Sequence, residues 1–252
     1  MILDKFKLDG KVAIVTGAGR GLGKGAALGF AEAGADLVLV GRNTDDTAQK
    51  VKGLGRRVCQ VSADLLDRSC VPGIVEKAVN ELGGVEILVN NAGIIRRAPV
   101  LEFTEKDWDE VVQVNQSAVF FLSQAVAKQM VKQGRGGKII NIASMLSFQG
   151  GIRVPSYTAS KSAVMGLTRL LANELAPHRI NVNGIAPGYM VTDNTAPLRA
   201  DPQRSAEILG RIPAGRWGEP EDLQGALVFL ASSASDYVNG YTIAVDGGWL
   251  AR

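Results

Sequence analysis

Short runs rich in β-branched residues recur along the chain: "VAIVTG" (12–17), "DLVLVG" (36–41), "RRVCQV" (56–61), "EILVNNAG" (86–93), "KIINIAS" (138–144), "RINVNGIAPG" (179–188) and "YTIAVDGG" (241–248). Longer segments that read as helices lie between them. Strands alternating with helices predict βαβ units and a parallel sheet, because parallel neighbours need a crossover connection and the crossover helices cover both faces. The pattern therefore predicts a single α/β domain over residues 1–252. Its core is a Rossmann-type, doubly wound parallel sheet of about seven strands, with helices on both faces.

No linker, low-complexity stretch or internal repeat interrupts the alternation. The irregular part is residues 189–220, "YMVTDNTAPLRADPQRSAEILGRIPAGRWGEP", which carries four prolines between the sixth strand and the next helix. A connection of that length predicts a lid over a site, with a tolerated surface insertion as the alternative.

Composition narrows the partners. With 252 residues, 46% of them hydrophobic, a full core is within reach, and a net charge of +3 spread without a basic run speaks against a nucleic-acid partner. The opening "MILDKFKLDGK" has no continuous apolar region, and no later window approaches a membrane-spanning length of about 18 uninterrupted apolar residues. No membrane partner and a cytoplasmic location are expected. Cys59 and Cys70 form no C-x-x-C pair and have no histidines nearby, which suits reduced thiols better than a disulfide or a metal site. The only histidine, His178, cannot make a metal cluster and suits a surface or helix-end role.

The chemistry begins after the first strand, where "TGAGRGLGKG" spaces Gly17, Gly21 and Gly23 as G-x-x-x-G-x-G. The first βα turn of a doubly wound sheet is where a pyrophosphate meets the positive end of a helix, and glycines let the backbone come close to it. The G-x-G-x-x-G spacing is not met, since Leu22 stands where Gly17-x-Gly19 would need its last glycine. Arg20 and Leu22, on the same turn, join the candidate cofactor contacts. The second strand ends in "VLVGRN", where a binder of NAD offers an acidic residue to the ribose hydroxyls. Gly41 and Arg42 stand there instead. A guanidinium suits a 2′-phosphate, so NADP should be accepted at least as well as NAD, unless Arg42 is a solvated cation or stacks on the adenine. In "SADL", Asp64 is placed to accept from an adenine amino group, with Leu65 beside it. In "NNAG" (90–93), Asn91, Ala92 and Gly93 suit the crevice lining, while Asn90 and Asn91 could equally close a turn.

The stretch "RVPSYTASK" puts Pro155 in the first turn of a helix and Tyr157 and Lys161 on one face of it. A phenol titrates near pH 10, so work near neutral pH needs a drop of about 2–3 units. A cation within about 4–6 Å supplies about 1–3 of these. Tyr157 is thus the proton donor and acceptor, and Lys161 its electrostatic partner. Ser144, in "NIASMLSF" at the tip of the fifth strand, is placed to hydrogen-bond a substrate carbonyl oxygen. Each residue alone has an ordinary explanation.

Taken together, the glycine turn, "NNAG", the strand-end serine and Tyr-x-x-x-Lys resemble the short-chain dehydrogenase/reductase family over essentially the whole chain. The resemblance implies an NAD(P)-dependent oxidoreductase acting on CH–OH groups. In it Asn115, from "VVQVNQSAVF", serves a water-linked proton relay, Ser144 orients the carbonyl, Tyr157 is the acid/base, and Lys161 lowers its pKa and binds the nicotinamide ribose. It further implies that Pro187, Gly188, Met190 and Thr192 hold the carboxamide and phosphate region. The segments "GKIINIASMLSFQGGIRVPSYTASK" and "DYVNGYTIAVDGGWLAR" narrow the resemblance to members acting on sugar acids, which implies a sugar-acid substrate, a homotetramer and NAD(H), the last in tension with Arg42.

A carboxylate needs a cation. Arg153, four residues before Tyr157, is preferred over Arg96 and Arg97, with Met145, Gln149 and Tyr189 as the next substrate contacts; subunit contact or solvated surface is the alternative for all of them. Competing readings are a family member acting on gluconate or on a carrier-bound 3-oxoacyl chain, and a cofactor-binding regulator without turnover. The intact set Asn115, Ser144, Tyr157 and Lys161 argues against the regulator.

Overall fold

The computed structural model describes residues 1–252. Seven strands, β1 (Val12–Thr16), β2 (Asp36–Val40), β3 (Val58–Val61), β4 (Ile87–Asn90), β5 (Gly137–Ile142), β6 (Ile180–Pro187) and β7 (Thr242–Val245), form one sheet in the order β3-β2-β1-β4-β5-β6-β7. Every neighbouring pair is parallel. The expected doubly wound sheet is therefore what the chain forms.

The order reverses between β1 and β4, and at such a switch point the connections leave in opposite directions and open a crevice beyond the strand carboxyl ends. Gly17 follows β1 there and Asn91 follows β4.

Burial on both faces explains why the strands read as apolar runs. Val12 and Ile14 of β1 point into one core layer with Leu122, Val126 and Met130, while Ala13 and Val15 point into the other with Phe30, Leu227 and Leu230. The helices are α1 (Gly21–Glu32), α2 (Asp45–Gly53), α3 (Val71–Lys77), α4 (Glu105–Val112), α5 (Ala118–Gln133), α6 (Pro155–Leu175), α7 (Ala196–Ala200), α8 (Pro202–Arg211) and α9 (Gln224–Ala231), of which α1, α2, α3, α5, α6 and α9 supply side chains to these layers. Full burial of a side chain such as Phe30 contributes roughly 1.5–3 kcal/mol.

Helix α6 starts at Pro155, where a missing N–H costs nothing, and runs to Leu175 before a 3-10 turn that ends at the exposed His178. Between α4 and α5 the chain widens into a single π-helical turn, Gln113–Ser117, which carries Asn115.

One expectation is corrected. Residues 189–220 are not irregular throughout, because they fold α7 and α8. Pro197 and Pro202 lie in the first turns of these helices, where proline is tolerated, and the Asp201 side chain accepts from the Arg204 N–H to cap α8. Cys59 is buried and Cys70 half-buried, both as free thiols. No helix is long and apolar enough to cross a membrane.

Candidate active site

The glycine turn is shaped for something larger than its own backbone. Gly17 and Gly21 hold φ values of 66° and 51°, in the left-handed region where L side chains are strained. A Cβ on Gly23 would collide with the Gly17 carbonyl, and one on Gly19 with the Asn43 carbonyl. The result is a bare backbone cradle at the N-terminus of α1, which fits a pyrophosphate.

Asn91 forms the floor of the crevice by tying the two switch-point strands together. Its Nδ2 donates to the Thr16 carbonyl at 2.8 Å, and the backbone N–H groups of Asn91 and Ala92 both donate to Thr16 Oγ1 at 3.0 Å. Asn90 does not close a turn: its side chain is buried and bonded to Ser123 and Asn141.

Around the cradle, Arg42 stands exposed just beyond β2 with no acidic partner. Asp64 is exposed, with one carboxylate oxygen accepting from the Leu66 N–H, and Leu65 is packed into the core. Thr192 faces the turn, its methyl lying 3.5 Å from where a Cβ on Gly21 would sit, whereas the Met190 side chain points away into the core. Gly188, just after β6, lies so close to Asp246 that a Cβ there would stand 2.6 Å from its Cα.

The candidate catalytic side chains lie beside this cradle. Ser144, in extended conformation after β5, accepts from the Leu146 N–H at 3.1 Å and turns its hydroxyl toward Tyr157. One helical turn further along α6, Lys161 is buried, with Nζ 5.7 Å from the centre of the Tyr157 ring and bonded to the Ile142 carbonyl at 2.5 Å. Asn115 is fully buried. Its Oδ1 accepts from the Ile94 N–H and its Nδ2 donates to the Ile94 carbonyl, each at 2.9 Å. Gly93 leaves room between Asn115 and Lys161, since a Cβ there would stand 3.2 Å from Asn115 Oδ1 and 3.8 Å from Lys161 Nζ.

Electrostatics differs from what the Tyr-x-x-x-Lys spacing alone suggests. Burial pushes the Tyr157 phenol above its ordinary value, and the groups that pull it back are the Ser144 hydroxyl and the Arg97 guanidinium. Burial also brings Lys161 down to about 8.

Arg97, exposed on the loop after β4, is the arginine that lowers the Tyr157 pKa, and it donates to the Asn194 carbonyl at 3.0 Å. Arg153, preferred on spacing, sits exposed in the left-handed region (φ 64°) just before α6 begins, and offers its carbonyl to Ala98. Arg96 is paired with Glu110 at 2.7 Å and Asp107 at 3.4 Å.

Met145 packs against Ile208, Ile212 and Trp249, so the residue after Ser144 touches the segment that follows β6. Tyr189 stacks edge-on against Trp217 and Trp249 at 5.5 and 4.8 Å, and Gln149 is half-buried. The effect of Arg97 on Tyr157 has one sequence signal, its place four residues after "NNAG".

Comparison with known proteins gives the same picture. A family model described as short chain dehydrogenase matches residues 11–203. The chain is 68% identical over 253 residues to the 2-dehydro-3-deoxy-D-gluconate 5-dehydrogenase of Dickeya dadantii (strain 3937), with all of both chains covered. It is 50% identical over 254 residues to the protein of that name from Bacillus subtilis (strain 168), covering 99% of this chain and 98% of the relative. The crystal structure of a gluconate 5-dehydrogenase from Burkholderia cenocepacia J2315, in complex with NADP and tartrate, matches with a TM-score of 0.95 at 41% identity over 100% of both chains. The glycine cradle at the switch point, the Ser144–Tyr157–Lys161 cluster beside it and these matches lead to one conclusion: the chain belongs to the short-chain dehydrogenase family.

Proposed function

We propose that the protein is an NAD(P)-dependent dehydrogenase that interconverts a secondary alcohol and a ketone on a sugar acid, with 2-dehydro-3-deoxy-D-gluconate, reacting at C5, as its substrate. The observation that carries the reading is the cluster of Ser144, Tyr157 and Lys161 beside the glycine cradle, with the Arg97 guanidinium lowering the Tyr157 pKa. The substrate follows the name shared by relatives at 50–68% identity.

A bound nicotinamide cofactor supplies or accepts the hydride. The chain's own residues do the rest. Tyr157 gives its proton to the ketone oxygen in reduction, and its phenolate takes the proton back in oxidation. Ser144 donates a hydrogen bond to the same oxygen, which matters most as negative charge gathers there. The Lys161 ammonium favours the phenolate and holds the ribose hydroxyls. Asn115 and the Ile94 carbonyl carry the proton path toward solvent. Arg97 grips the substrate carboxylate, a charge-assisted pairing that also brings a positive charge to Tyr157.

Toward the cofactor, the backbone of Gly17, Gly21, Leu22 and Gly23 with Arg20 holds the pyrophosphate, and Asn91, Ala92 and Gly93 line the crevice. Asp64 and Leu65 meet the adenine, Arg42 the 2′-phosphate when one is present, and Pro187, Gly188 and Thr192 the carboxamide edge. Residues 189–220 act as the lid. The enzyme works as a cytoplasmic homotetramer, for which exposed apolar side chains such as Leu101, Phe121 and Leu170 provide a motive; sedimentation equilibrium giving a monomer mass would overturn that assembly.

Nicotinamide absorbance followed with 2-dehydro-3-deoxy-D-gluconate, gluconate and an acetoacetyl thioester, each with NAD and NADP forms, tests the reading. Turnover of the keto-deoxy acid is expected. Turnover of gluconate or the thioester alone would keep the chemistry and discard the substrate.

A further inference from the structure

Beneath the reacting groups runs a ladder of four buried polar side chains, each from a different element. Asn90 of β4 and Asn141 of β5 are register partners in the sheet. Asn90 Nδ2 donates to Asn141 Oδ1 at 2.8 Å and to Ser123 Oγ of α5 at 2.9 Å. Asn141 Nδ2 donates to Thr168 Oγ1 of α6 at 2.9 Å, and the Thr168 hydroxyl donates to the Val164 carbonyl at 2.8 Å. Asn141 is 0% exposed and Thr168 1%.

Such a ladder is costly to place in a core. Two rungs earlier, on the same face of the sheet, the two strands pair Leu88 with Ile139 in the apolar core, so an apolar pair suits this geometry. A buried amide left without its partner costs about 1–3 kcal/mol, whereas two apolar partners of matching shape would be close to neutral. What the polar pair adds is direction. The nearby cluster joining α5, the end of β5, β6 and α6 uses Val119, Ala143, Val164 and Ala186, small side chains with little shape to stop a helix from sliding or turning.

The positions along each element give that direction a purpose. Asn141 lies three residues before Ser144 on β5. Thr168 lies seven residues after Lys161 on α6, two turns on and so on the same helix face, about 10 Å along the axis. At the other end, Ser147 Oγ donates to the Lys161 carbonyl at 2.6 Å. Lys161 Nζ on the Ile142 carbonyl holds the same end, and Asn239 Nδ2 on the Ala172 carbonyl holds the far end to the loop before β7; between them, the Asn141–Thr168 bond joins α6 directly to β5.

We infer that Asn141 and Thr168 are positioning residues, whose hydrogen bond sets α6 in register with β5 and so holds Tyr157 against Ser144. Through Asn90, the same ladder keeps the strand that carries Asn91 in that frame. The inference rests on the roles of Ser144 and Tyr157 proposed above, and reacting groups need placement to within about 0.5 Å.

Thr168→Val, nearly isosteric but without the hydroxyl, tests it beside Thr168→Ser and Tyr157→Phe. For Thr168→Val we expect kcat to fall about tenfold, while substrate KM and cofactor Kd stay within about twofold, the split that marks lost transition-state alignment. The rising limb of kcat against pH in the oxidation direction should move upward as Ser144 loses its hold on Tyr157, with Arg97 and Lys161 still in place, and Thr168→Ser should restore most of kcat. A Thr168→Val enzyme with kcat within about twofold of the parent, an unmoved pH limb and only a lower Tm would overturn the inference, because a ladder that serves stability alone has that signature. If Thr168→Val does not fold, the double variant Asn141→Val, Thr168→Val, which removes the pair together and leaves Asn90 Nδ2 its bond to Ser123 Oγ, is read by the same criteria. Retained turnover in Tyr157→Phe would instead overturn the proposed chemistry. An inactive Tyr157→Phe beside an unimpaired Thr168→Val would overturn the positioning role alone.

Discussion

The guanidinium of Arg20, on the glycine turn, bonds the carboxylate of Asp193, in the turn that opens the segment after β6, at 2.5 Å. The pair joins the two walls of the candidate cofactor groove. The same turn is also held by Arg97 at the Asn194 carbonyl and by Arg199 at the Thr192 carbonyl. Arg20 and Asp193 keep 74% and 67% of their side-chain surface in solvent, so their pairing contributes no more than about 1 kcal/mol. Asp193→Asn should therefore speed NADP release by up to about fivefold at low salt, and stopped-flow should show the difference vanish near 1 M salt, where the Debye length is about 3 Å. An unchanged release rate at low salt would show that the pair does not close the groove.

Arg97 and Arg153 make opposite predictions for the substrate carboxylate. If Arg97 grips it, Arg97→Met should raise the KM for the sugar acid by roughly 10- to 100-fold, as expected for a lost charge-assisted hydrogen bond of about 1.5–3 kcal/mol. The rising limb of the oxidation pH profile should also move upward, because Arg97 is one of the two groups that pull the Tyr157 pKa down. Arg153→Ala should then leave KM within about threefold, because Arg97 and not Arg153 is the arginine that acts on Tyr157. The reverse pattern in steady-state kinetics would return the role to Arg153.

At the far end of the groove, Arg42 is exposed just past β2 and engaged by no carboxylate, free to meet a phosphate. Arg42→Asp should lower kcat/KM for NADP relative to NAD by at least about tenfold, through the lost pairing and the new repulsion together. A ratio that does not change would assign the phosphate to another cation or to none.

The strands and the start of α6 were legible in the sequence for physical reasons. A parallel sheet covered on both faces needs uninterrupted apolar runs, and Pro155 marks a helix start. The helices within 189–220 were hidden because prolines read as breakers, although Pro197 and Pro202 occupy first turns. The shared face of Tyr157 and Lys161 could be read from their spacing, but not the place of the ammonium, which lies over the ring and bonds the Ile142 carbonyl. Sequence distance could not show that Arg153, four residues before Tyr157, lies outside α6 in a left-handed conformation and off the helix face, with its carbonyl bonded to the Ala98 N–H next to Arg97.

Lys161 gives a prediction with a definite sign. Burial lowers its pKa in the folded protein to about 8 from 10.5, so a charge is held at a cost. Below about pH 8 the lysine is charged in both folded and unfolded chains, and the whole cost is present. Between about 8 and 10.5 the unfolded chain binds more protons than the folded one, and this group's contribution to stability rises with pH. Replacing it with the uncharged, similarly long Met removes the cost at every pH. Lys161→Met should therefore have its largest stability advantage over the parent near pH 7, and should lose on the order of 3 kcal/mol of that advantage by about pH 10. Tyr157, whose pKa is raised above 10, acts in the opposite sense only at the alkaline end, above the pH 7 to 9.5 interval compared below. Urea unfolding of the two proteins at pH 7 and pH 9.5 reads the change directly; a difference in stability independent of pH would mean that Lys161 is solvated well enough to carry its charge without penalty.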